Sequence, residues 1–132
     1  MEEKVLLIDV LNCSESEKVP MLYFKWKMPS VILTNRRLIV MKKRPKKTYP
    51  GNYTASDFDN ASLEPDNISI PLAQIKEVTA KRTKGLLPYL TISYQSSAGQ
   101  NFCTFWSSNE LDWFGNMDKW VKAINSMKGN LR

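Results

Sequence analysis

Residues 31–40 read Val31-Ile32-Leu33-Thr34-Asn35-Arg36-Arg37-Leu38-Ile39-Val40. Two apolar runs flank Asn35-Arg36, a separation that suits two strands joined by a tight hairpin. Asn35 tolerates a positive φ angle at such a turn and Arg36 does not, so the turn type stays open. Upstream, Leu22, Phe24, Trp26 and Met28 alternate with Tyr23, Lys25 and Lys27, the period of a half-buried strand. Residues 5–11 form a short apolar segment suited to a first strand, and residues 12–18 are polar and turn-like.

Downstream, strand character returns at residues 68–72 and, weakly, at 74–80, where Ile75 and Val78 are the apolar anchors. Lys81-Arg82-Thr83-Lys84-Gly85 reads as a basic hairpin loop. Residues 86–94 place Leu90, Ile92 and Tyr94 on one face; residues 101–106 do the same for Phe102 and Trp106, after a turn at 96–99. Then the period changes. Met117, Trp120, Ile124 and Met127 recur at three and four residues, with Trp113, Phe114 and Val121 alongside. This predicts an amphipathic helix of roughly 18 residues. Ser107 and Glu110 have capping-box spacing, and Gly129-Asn130 supplies a stop. The expected fold is mainly β with one α-helix. About seven antiparallel strands form a barrel or two curled sheets, capped by the C-terminal helix.

The chain has 132 residues, so a single domain over 1–132 is expected. Nineteen Lys and Arg face thirteen Asp and Glu, a net charge of +6. There is no histidine, which removes the commonest general base and metal ligand. Two cysteines, Cys13 and Cys103, are too few for a zinc site. A disulfide between them is not expected in a reducing compartment. Cys103 suits a small core or sheet-surface residue, and an exposed position is open to Cys13, with nothing nearby to depress its pKa. No glycine-rich phosphate cradle and no acid–base pair with a companion group occurs, so the expectation is a non-enzyme without cofactor or metal. The acidic start, Met1-Glu2-Glu3-Lys4, lacks the features of a signal peptide, and no run of apolar residues is long enough to span a bilayer. A cytoplasmic module, peripheral to membranes, is the expected setting. It is either a whole protein or the N-terminal domain of a longer one.

The element order resembles the pleckstrin-homology-like superfamily. Residues 31–40 are similar to the apolar-Leu-Thr-Asn-x-Arg-Leu hairpin of its GRAM and bacterial-PH branches. Ile70-Pro71-Leu72-Ala73-Gln74-Ile75-Lys76-Glu77-Val78 resembles their strand, Pro-Leu, turn, strand element. A long irregular insert at 42–67 departs from the minimal unit and resembles the GLUE subgroup of trafficking proteins. That resemblance implies binding of phosphoinositide lipids and of ubiquitin. The whole likeness covers roughly residues 20–127.

The charge distribution picks out a site. From residue 18 to residue 56 there are ten Lys and Arg and no acid. Five of them, Lys42, Lys43, Arg44, Lys46 and Lys47, fall within six residues. Such a run repels itself unless an anion relieves it. With Lys81, Arg82 and Lys84 it forms the candidate lipid- or anion-binding set, on one positive rim if the two loops share an end of the fold. Tyr49, Tyr53 and Phe58 are the candidate interface aromatics, in a stretch that equally suits a packed loop. Trp26, Trp106, Trp113 and Trp120 are expected in the core, and Arg37 is expected to fold back on carbonyls or an acid. The leading reading is an adaptor docking on acidic phospholipid or phosphoinositide headgroups. The alternative is a protein-interaction domain, for example for ubiquitin, in a trafficking-type complex. Nonspecific nucleic-acid binding is weaker, because no recognition helix or stacking array is visible. The basic run also fits two simpler accounts, a solvated loop and a nuclear-import pattern.

Overall fold

The computed structural model describes residues 3–17, 29–42, 49–82, 88–107 and 110–129. Among the described residues, eight strands form two four-stranded antiparallel sheets. The first sheet has the order β1 (Val5–Val10), β3 (Ser30–Thr34), β4 (Arg37–Met41), β5 (Ile68–Pro71). The second has the order β2 (Asn12–Ser14), β8 (Gly99–Trp106), β7 (Pro88–Ser96), β6 (Ile75–Arg82). The sheets are not closed into a barrel. Only Leu11 separates β1 from β2, so one bent stretch of chain serves both sheets. Leu11 is buried at that corner and its N–H donates to the Pro29 carbonyl at 3.1 Å. Residues 12–18 are therefore not simply turn: Asn12 and Ser14 are buried in strand pairing with β8. The expected strand at 21–28, with Trp26, lies outside the described residues.

The hairpin forms where residues 31–40 place it, with Leu33 opposite Leu38. Thr34 organises the turn by accepting the backbone N–H groups of Arg36 and Arg37 on its Oγ1, at 3.1 and 3.0 Å. Asn35 exchanges hydrogen bonds with the Lys4 backbone, which ties the N-terminal segment to the turn.

The main core lies between the sheets and the C-terminal helix, α2 (Glu110–Gly129). Val31, Leu33, Leu38 and Val40 face Leu90, Ile92 and Phe105, and Met117, Trp120 and Ile124 close the cluster. Trp120 Nε1–H donates to Asp9 at 2.6 Å, joining helix to first strand. Trp106 and Trp120 are buried, as their spacing predicts; the side chain of Trp113 and the Glu110 half of the capping box lie outside the description.

The insert contains more structure than its composition predicts. A 3-10 turn at Pro50–Asn52 leads into α1 (Ala55–Ser62), with Thr54 as N-cap. Thr54 Oγ1 accepts the Asp57 N–H, and the Asp57 carboxylate accepts the Thr54 N–H, a complete capping box. The helix covers the outer face of the first sheet. Phe58, Ala61 and Tyr53 pack on Ile32, Ile39 and Met41, with Val5 and Ile8 at the edge. The first sheet is thus buried on both faces, which is why β3 and β4 read as unbroken apolar runs.

Candidate functional site

Of the basic run, Lys42 is described. It follows β4 directly and its Nζ lies 3.7 Å from Glu15, with both side chains well exposed. Lys43, Arg44, Lys46 and Lys47 lie outside the described residues, as does Lys84. Lys81 and Arg82 are the exposed last residues of β6. Lys42 is close enough to Cys13 and Cys103 for its charge to act on their ionisation. Lys81 instead lies with Glu77 on the opposite face of the second sheet. The described members of the two stretches therefore have different surroundings, each shared with a carboxylate.

The three aromatics part company. Tyr49 is 59% exposed, and its ring lies over Gly51, where an added Cβ would collide with it. Phe58 is fully buried and Tyr53 nearly so, their rings 5.6 Å apart in the second core. This corrects the expectation that both are interface aromatics. Residues 53–62 fold onto a sheet face that would otherwise be left apolar and wet. The acids of the insert are engaged too: Asp57 caps α1 and Asp59 meets Arg37.

Arg37 folds back on acids, as the hairpin phrase predicts. Its Nε and Nη2 donate to the two Glu3 carboxylate oxygens at 2.9 and 2.8 Å. Nη2 also reaches Asp59 at 2.8 Å, and Nη1 reaches Ser62 at 3.3 Å. The Glu3 side chain is completely buried, and Thr34 donates to it at 2.7 Å. Burial lowers the guanidinium pKa, but the hydrogen bonds to Glu3 and Asp59 outweigh it and hold the pKa above its ordinary value.

Both cysteines are free thiols and both are buried, which corrects the expectation of an exposed Cys13. The thiol–thiol contact with Cys103, together with burial, pushes the Cys13 pKa far up. The same contact lowers the Cys103 pKa against the opposing effect of burial, and Tyr94 beside it acts in the same lowering direction. No group of three His, Cys, Asp or Glu placed to hold a metal occurs among the described residues, and no helix among them is long and apolar enough to cross a membrane.

One concave feature had no counterpart in the sequence expectations. The outer face of the second sheet carries a groove floored by Thr79, Thr91, Ser93 and Phe102, with Gln100 beside them. Glu17, Glu77 and Lys81 supply its charge. The signal for it is the polar half of the β7 alternation: Thr91, Ser93 and Gln95 oppose the core residues Leu90, Ile92 and Tyr94. No protein-family model matches the chain, and no curated protein matches it in sequence.

Proposed function

We propose that the chain is a non-catalytic docking module of the pleckstrin-homology-like type, of its GRAM or bacterial-PH branch. It docks on acidic phospholipid or phosphoinositide headgroups through the basic stretches 42–47 and 81–84. The observation that carries the reading is the charge distribution: ten cations and no acid over residues 18–56. Arg37 is drawn into an internal ion pair, while Lys42 is exposed at the end of β4, where the run begins. Lys81 and Arg82 are likewise exposed at the end of β6. An anionic membrane contributes about 1 kcal/mol per basic side chain near its surface, so five give several kcal/mol. Tyr49, exposed two residues beyond the run, suits the headgroup level of a bilayer.

Liposome flotation over a salt series tests this. The protein is expected to float with phosphatidylserine or phosphoinositide vesicles at low salt and to release as salt rises. No flotation with any acidic vesicle at low salt overturns it. A second reading, a protein-interaction domain, is favoured by the groove across the second sheet. Titration with ubiquitin, followed by NMR, tests the GLUE-like form of that reading.

A further inference from the structure

The groove is built by strand register. Glu77 of β6 stands opposite Ser93 of β7, and Ser93 stands opposite Phe102 of β8. These three form one transverse row on the outer face, at cross-strand neighbour distance. The next row, Thr79, Thr91 and Thr104, is internally satisfied: Thr91 and Thr104 share a hydrogen bond of 3.0 Å, and Thr104 donates to the Ser16 carbonyl at 2.6 Å. The Glu77–Ser93–Phe102 row is not. Ser93 is only 7% exposed, lines the groove, and its hydroxyl has no hydrogen-bond partner among the described residues. Neither Glu77 nor Glu17 has an ion-pair partner there. The cavity holds about 170 Å³, below the ~300 Å³ at which small-molecule sites begin.

We infer that this groove receives the cationic end of an arginine or lysine side chain from an extended segment of a partner protein. Guanidinium and ammonium groups carry only donors, and the row offers what donors need. Glu77 and Glu17 supply two carboxylates, and the Ser93 hydroxyl supplies an acceptor open to the groove. The Phe102 ring supplies a face for a cation. The Ser93 hydroxyl makes no hydrogen bond to a described residue, so a donor from a ligand meets a free acceptor there. Lys81 stands at one end and repels a second cation, so the groove selects a single basic residue over a basic run. The inference rests on no lipid contact.

Acetylated and amidated Gly-Gly-X-Gly-Gly peptides, with X as Arg, Lys, Gln or Glu, test it by NMR titration of the whole chain. The Arg and Lys peptides are expected to shift the amide signals of Thr79, Ser93 and Phe102 saturably at millimolar concentration, and the Gln and Glu peptides are not. Glu77→Gln and, separately, Glu17→Gln weaken the Arg peptide about threefold to fivefold, the scale of a partly exposed ion pair. Lys81→Gln tightens it. The inference is overturned if the Arg peptide leaves these signals unmoved, if the Glu peptide binds as well, or if Lys81→Gln abolishes binding. Retained spectral dispersion in the glutamine variants shows that each is folded.

Discussion

Arg37 shows how a residue in a basic stretch can belong to the fold and not to the surface charge. Its bidentate contact with Glu3 joins the N-terminal segment to the hairpin, and its contacts with Asp59 and Ser62 add α1. Removing it strands the fully buried Glu3 carboxylate. Arg37→Ala is expected to cost about 3 kcal/mol in urea unfolding. Arg37→Lys recovers only part of this, because an ammonium cannot hold both carboxylate oxygens in the planar fork. A loss no larger than that of an exposed surface charge would contradict the network. The sequence favours an inward turn of this arginine over ligand contact, yet does not say which acid it meets. Glu3 lies 34 residues away, and nothing local to either residue specifies the pairing. The thiols make a second test at this scale. Cys13 and Cys103 are buried, so a bulky thiol reagent is expected to label neither until the chain unfolds; rapid labelling of the native protein, read by mass spectrometry, would contradict that burial.

At the scale of the element, α1 decides whether the first sheet is a two-faced core or an exposed one. Phe58 is its anchor against Ile32, Ile39 and Met41. Phe58→Ala is expected to lower stability by about 3–5 kcal/mol. Thr54→Ala, which removes the cap but leaves the packing, is expected to cost about 1 kcal/mol. Denaturant titration measures both, and equal effects would mean that the cap rather than the ring holds the helix. The β7–β8 hairpin offers an independent check. Gly99 has φ +111°, so Gly99→Ala is expected to cost about 1–3 kcal/mol although no atom crowds the position. Most of these strands are legible in the sequence because alternation, apolar runs and short turns are local properties; β2, which reads as polar turn, is not. The helix α1 is not, because Phe58 and Ala61 are its buried apolar residues in eight positions, too few for a visible stripe. Two signs of it exist nonetheless. Thr54 and Asp57 have capping-box spacing, and the apolar runs of β3 and β4 lack the alternation of a one-faced sheet.

At the scale of the whole molecule, the two sheets and α2 carry charge unevenly. The cations concentrate in the stretch that ends β4 and continues into the insert, while Glu17 and Glu77 lie across the second sheet. The cationic side of this contrast is legible from the sequence, because it is a contiguous run. The groove is not, since its row is assembled from three strands by register. Docking through the run is open to a single decisive comparison. Wild-type protein and a variant with Lys42, Lys43, Arg44, Lys46 and Lys47 all changed to Glu are floated with phosphoinositide-containing vesicles at low salt, after circular dichroism shows both folded. The account predicts that the wild type floats and the variant stays at the bottom. Equal flotation of the two, or flotation of neither, would contradict it.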